Sequence, residues 1–383
     1  MRRLSALLIV VCLGLVLVAC PSPTGPADDQ PDTSDPGDDP GDGGTGSAVG
    51  VHVAGYYQQE VATVPYDVAA YWLDGVKTDL TDGVLAGSNA QATGVFVDGS
   101  DVYVSGYVST GGVKSAVYWK NGVQTALTAA TAAEATGIFV SGGDVYVSGT
   151  RDSATSARFP VYWKNGTIVD LLTTEAANAA ATGIVVDSGL VLVSGHYDNG
   201  TTNFTATLWR HDGTNPVAET DLSDGVISEA FTVAIASDGD YLAAGSFWNG
   251  SSWASASWTV DSTTFASARN ELTSVAAGAN WSKAFGVDEL AGTVHAAGYF
   301  TSGGDQPAAW TGSTRTDLDT SGATSGRALA LHATSARIVV AGYRRVAAGN
   351  LVAAVWEDGV LQDLYDSLDA DLDAEARAVV VVE

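Results

Sequence analysis

Three tryptophans stand in short polar stretches: Trp248 and Trp253 in FWNGSSW, and Trp281 in ANWSK. An indole in a polar loop presents an apolar face for stacking and an N–H for hydrogen bonding, which suits a sugar ring or an anchor on a protein partner. Asn249 and Ser252, between the first two, add an amide and a hydroxyl. A second group is Asp369-x-Asp371-x-Asp373-x-Glu375. Its alternating carboxylates could give oxygen ligands to Ca²⁺, but the EF-hand glycine and distal bidentate Glu are missing, so a solvated acidic loop is the better reading. The five histidines show no pair at ligand spacing, and Cys12 and Cys20 both lie in the first twenty residues, so no transition-metal site is expected. There is no G-x-S-x-G elbow, no H-E-x-x-H and no phosphate loop. Gly41-x-Gly43-x-x-Gly46 has no strand before it or helix after it, and does not read as a dinucleotide fingerprint. Acidic residues are plentiful enough to supply a carboxylate pair for glycoside cleavage, but spacing singles out none. No catalytic residue and no cofactor is assigned.

The elements that must position these residues repeat. The other seven of the ten tryptophans, Trp72, Trp119, Trp163, Trp209, Trp258, Trp310 and Trp356, return at steps of 47, 44, 46, 49, 52 and 46 residues. A glycine closing a V-x-V-x-G strand keeps time with them, at Gly55, Gly106, Gly149, Gly195, Gly245, Gly298 and Gly342. Self-similarity at this period marks a repeat architecture, and about 48 residues per unit is the length of a four-stranded propeller blade. In the second unit Gly94 to Val97 reads as a first strand, Asp98-Gly99 as a turn, and Val102 to Tyr107 as an alternating second strand. A loop, Val108 to Lys114, leads to the strand ending in Trp119. Asn121-Gly122 then supplies the positive-φ residues of a type I′ hairpin turn, a signal that returns at Asn165-Gly166, Asp74-Gly75, Asp212-Gly213 and Asp358-Gly359. Gln124 to Leu127 is the short outer strand.

Three residues before each phased tryptophan stands Ala69, Ala116, Pro160, Ala206, Ser255, Pro307 or Ala353, all compact. Such side chains let the next blade approach and leave a cavity for an indole, so the phased tryptophans are read as core. His52 and His295 occupy the register of Tyr103 and Tyr146, and His196 replaces Tyr107, so the repeat accounts for them without catalysis. The off-phase tryptophans are different, because the scaffold does not require them.

The repeat region begins at Val51 to Gly55, which matches a second strand, and finishes in Arg377 to Val382, which matches a first strand. Pairing of the two would complete a seventh blade and close a ring, whereas an open solenoid would need polar caps. The expected fold is therefore all-β: a seven-bladed β-propeller of four antiparallel strands per blade over 49–383, closed by the C-terminal strand.

Before the repeats, Arg2 and Arg3 precede an apolar run that ends in Leu17-Val18-Ala19-Cys20. Residues 1–19 have the form of an export signal, and their apolar run, Leu7 to Val18, is too short for a comfortable membrane span. Residues 20–48 are an acidic Pro/Gly/Asp-rich stretch with little to bury, read as a disordered tether. Setting aside the two leader arginines and the seven tether aspartates, the rest of the chain carries a net charge of −22 out of the total of −27. That balance argues against a nucleic-acid partner, whose phosphates reward Lys and Arg.

Two resemblances follow from these residues. Leu-x-Ala-Cys is similar to the lipobox of bacterial lipoproteins, which implies cleavage before Cys20, a lipid on its sulfur and a membrane-anchored product in the cell envelope. The units A-T-G-I-F-V, V-Y-V-S-G-Y and A-V-Y-W-K-N-G resemble the repeats of bacterial extracellular and lipoprotein propellers, including HAF repeats, and are more distantly kelch-like. They differ from kelch in having one glycine after the second strand where kelch has two. This resemblance implies a propeller outside the cytoplasm and no particular reaction. In such folds the loop between strands two and three and the connection between blades open on one face, which gathers Trp248, Trp253, Trp281 and the acidic run there. The expected function is a monomeric binding module for an extracellular glycan or protein; the alternatives are a polysaccharide-active hydrolase or lyase, or a structural envelope protein.

Overall fold

The computed structural model describes residues 49–383 except 82–87, 128, 130, 154–156, 173–178, 199, 201–203, 273–280, 347–348 and 365–371. Cys20, the tether, Asp369 and Asp371 lie outside the described residues. The strands form seven four-stranded antiparallel sheets, which are the blades of a propeller. Blade 1 is made from both ends of the repeat region. Its inner strand, Ala374–Val382, pairs along Gly50–Val61 from Gly50↔Val382 to Tyr57↔Ala374. Val64–Leu73 and Val76–Asp79 complete it. Blades 2 to 7 follow with inner strands Ser88–Asp98, Ala133–Ser141, Ala180–Asp187, Ser228–Ile235, Ser282–Leu290 and Ser325–Ala333.

The repeated residues explain the packing. Each phased tryptophan has no exposed surface, and each lies in an apolar cluster that spans two blades. Trp119 of blade 2 packs with Ala69 and Leu80 of blade 1, and Trp163 of blade 3 packs with Ala116 and Leu127 of blade 2. Trp72 closes the circle against Ala353 and Leu364 of blade 7. The leucine following each outer strand is fixed by its own backbone, as in Leu80 N to Ala69 O at 2.9 Å and Leu127 N to Ala116 O at 2.9 Å. The phased glycine makes room for the same indole. A Cβ on Gly106 would stand 2.1 Å from the Gln91 carbonyl oxygen and 3.0 Å from Trp119 Cζ3, so glycine and tryptophan keep time because they share one space.

The Asn-Gly turns carry a second function. Asn121 and Gly122 have φ of 50° and 77°, as a type I′ turn requires. The Asn121 side chain also accepts from Val102 N at 2.8 Å and donates to Asp101 Oδ1 at 2.8 Å, while Lys120 pairs with Asp101 at 2.7 Å. Asn165, Asp144 and Lys164 repeat this lock in blade 3. Asp212-Gly213 departs from the expected turn. Gly213 alone has positive φ, and the Asp212 carboxylate instead accepts from the backbone of Thr214 and Asn215 in a longer loop.

Two boundaries also differ from expectation. The loop foreseen at Val108 to Lys114 contracts to Gly111-Gly112, since the flanking strands run to Thr110 and from Val113. The inner strand of blade 2 begins at Ser88, six residues before Gly94, because a bulge interrupts its alternation. That bulge recurs in every blade, and leaves Thr93, Thr136, Thr182, Phe231, Phe285, Leu329 and Arg377 outside the regular register. These seven residues line a central channel of about 700 Å³.

Candidate ligand-binding site at the channel mouth

Antiparallel order places the start of each inner strand and the end of each second strand at the same mouth of the channel. Two residues before the bulge, the inner strands carry Gln91, Glu134, Ala180, Glu229, Lys283, Arg327 and Glu375. Opposite them in register stand Tyr107, Thr150, His196, Ser246, Tyr299, Tyr343 and Tyr56. Five of the seven inner-strand positions at the mouth are thus charged, with phenols and one imidazole among the residues opposite.

Ion pairs organise the charges. Glu134 is held by Lys114 at 2.5 Å and by Arg158, Lys283 pairs with Glu229, and Arg327 Nε donates to Asp305 at 2.7 Å. Burial alone would raise Glu134, but the cations beside it hold its carboxyl below the ordinary range. Burial pushes the Tyr107 phenol up to about 12, and burial likewise raises Tyr56, Tyr299 and Tyr343. These phenols stay protonated at neutral pH and can donate hydrogen bonds, but are poor bases. Burial lowers His196, which is therefore neutral at pH 7. The imidazole stands edge-on to Phe204 at 5.2 Å, and its buried Nδ1 has no hydrogen-bond partner among the described residues.

An aromatic strip leads to this mouth across blades 5 and 6. Trp248 and Trp253 are the last register pair of their hairpin, with ring centroids 6.3 Å apart at 75°. Lys283 Nζ lies 4.9 Å from the centroid of the Trp253 ring and 5.1 Å from that of Phe231. Phe231 meets Phe285 at 4.8 Å, and Phe285 stacks on Tyr299 at 5.9 Å and 21°. The strip therefore runs from the hairpin, over Lys283, to the channel wall. Trp281, two residues before Lys283, is 51% exposed, and its carbonyl accepts from Thr301 N at 2.8 Å.

The structure brings Trp248 and Trp253 together and gives the other candidates distinct places. The Asn249 side-chain oxygen accepts from Ser251 N and Ser252 N, both at 3.0 Å, and so shapes its own turn. Asp373 accepts from Leu351 N at 2.7 Å, and Glu375 accepts from Arg377 Nε at 3.0 Å. No group of three His, Cys, Asp or Glu side chains arranged to hold a metal occurs among the described residues. Sequence reading missed Lys283, Glu229, Phe231, Phe285 and Arg377. The signal was present in the repeat itself: the last three stand where Ala-Thr-Gly-Ile has threonine.

Neither a protein-family model nor a curated protein matches the chain. Among solved structures, a puromycin hydrolase aligns with a TM-score of 0.52 at 12% identity, over 85% of this chain and 55% of that one. A puromycin-hydrolyzing peptidase of Mycobacterium tuberculosis gives 0.52 at 11%, over 82% and 53%. The chain thus spans about half the length of these two proteins. An ulvan lyase, a polysaccharide lyase solved with -[GlcA(1-4)Rha3S]- bound, gives 0.51 at 11%, over 84% and 92%. At such identities these likenesses show a shared propeller fold, on which unrelated activities are built.

Proposed function

We propose that this protein is a glycan-binding propeller of the bacterial envelope, monomeric and held to a membrane by a lipid on Cys20. The observation that carries the binding role is the aromatic strip from Trp248 and Trp253 to Phe231 and Phe285, with Trp281 exposed nearby, at positions the repeat does not need. Partly exposed indoles next to the Lys283–Glu229 pair combine stacking surface with donors and acceptors suited to sugar hydroxyls. Phenols held protonated serve recognition better than proton abstraction.

A glycan and protein array probed with residues 49–383 tests this reading. Trp253→Ala is expected to weaken the captured glycan by ~1–3 kcal/mol, as for loss of an aromatic stacking platform. Full affinity in that variant, or capture of proteins alone, would remove the strip from the account. A second reading, a polysaccharide-active enzyme, draws on neutral His196, whose Nδ1 has no hydrogen-bond partner among the described residues. New chain ends appearing in the captured polysaccharide would establish it. For the anchor, Cys20→Ser is expected to move the protein from the membrane fraction to the soluble one, because lipid chains bury methylenes at ~0.8 kcal/mol each. Unchanged membrane retention would contradict acylation at Cys20.

A further inference from the structure

The seven bulge residues of the channel wall divide by chemistry. Blades 2, 3 and 4 place Thr93, Thr136 and Thr182 there, and each hydroxyl donates to a carbonyl of the next blade at 2.9, 2.9 and 3.0 Å. Blades 5, 6 and 7 place Phe231, Phe285 and Leu329. Blade 1 alone places a charge, Arg377, at this level of the channel. The fold does not require a cation here, since threonine serves the same bulge in three other blades.

The guanidinium lies with its carbon 4.9 Å from the centroid of the Tyr56 ring, and its Nε donates to Glu375 Oε2 at 3.0 Å. Among the described residues no acceptor bonds its two terminal nitrogens, so Glu375 uses one edge of the fork and leaves the other. That edge, with its two terminal nitrogens, can bind a carboxylate or sulfate bidentately. The channel volume of about 700 Å³ is within the range of about 300–1,000 Å³ typical of ligand pockets.

We propose that Arg377 reads an acidic group on a saccharide whose ring is held at the aromatic side of the channel mouth, so that the site selects uronate-type over neutral glycans. This rests on the glycan-binding reading above. The net charge of −22 on the body repels polyanions at long range, which makes a local, directional cation the means of selection.

The test compares oligogalacturonate, six residues long, with its methyl ester, which keeps the sugar and masks the carboxylates. Titrations of residues 49–383 by calorimetry are run at 0.15 M salt, where charges more than about 8 Å apart are largely screened. Wild type should bind the acid at least ~10-fold more tightly than the ester, as for a charge-assisted bidentate contact. Arg377→Thr installs the repeat's own bulge residue but strips Glu375 of its ion-pair partner, so Arg377→Thr with Glu375→Gln is titrated beside it. In both variants, each folded by its cooperative melting transition, the preference for the acid should vanish. Trp253→Ala should weaken acid and ester by the same factor and keep the preference. Equal affinities in wild type, no binding of either probe, or a preference that survives Arg377→Thr would overturn the assignment of Arg377. If the ester binds through Trp253 with no acid preference, the glycan reading stands and this inference fails. If the acid preference depends on Arg377 while Trp253→Ala changes nothing, Arg377 stands and the aromatic strip fails.

Discussion

Deleting Arg377 to Glu383 is expected to lower the stability of the propeller more than any single substitution. The deleted segment supplies the pairs from Ala54↔Ala378 to Gly50↔Val382 and buries Val379 and Val381 to 6% and 5% exposure. Those two valines alone account for ~1.5–3 kcal/mol each, against a total stability of ~5–15 kcal/mol for a typical protein. The loss reaches both flanks of blade 1. Val379 and Val381 pack with Trp72 and Val339 on one side, and Ala378 and Val380 pack against the Trp119 cluster on the other. The edge from Gly50 to Ala54 would also lack its hydrogen-bonding partners. Urea unfolding of residues 49–376 beside 49–383 checks this, and coincident transitions would contradict closure through the C-terminal strand.

Trp119→Ala is expected to cost ~3–5 kcal/mol, the range for truncating a buried aromatic residue. Its indole has no exposed surface and fills the junction of blades 1 and 2 against Ala69 and Leu80. The strand backbones on either side are fixed by their ladders and cannot collapse into the space. Trp281→Ala should cost far less, since half of that side chain already faces solvent. Denaturant midpoints of the two variants decide the matter; similar losses would mean that Trp281 belongs to the scaffold.

The fold was legible because its cause is repeated. One period carries the buried tryptophan, the glycine that gives its ring room and the small residue facing the next indole, so each position could be read from seven instances. The bulge escaped this reading, since an extra residue in an inner strand leaves the same Ala-Thr-Gly-Ile letters as an unbroken strand. With the bulge went the channel lining, and so Phe231, Phe285 and Arg377. The Asp212-Gly213 turn misled for a related reason. The dipeptide favours a type I′ turn, but a longer loop let the aspartate bond to Thr214 and Asn215 instead. Trp248 and Trp253 stood out because they fall between the periods. Lys283, which joins them to Phe231, is a single charge among many, and only the geometry of two adjacent blades shows its place.

Fluorine NMR of residues 49–383 carrying 5-fluorotryptophan tests most directly whether the off-phase aromatic residues form the ligand site. All ten tryptophans lie in this segment and can be assigned by single Trp→Phe substitutions. On addition of the glycan captured by the array, the resonances of Trp248, Trp253 and Trp281 should shift, while those of the seven buried tryptophans stay in place. Shifts confined to the buried seven, or none at the three, would contradict the account.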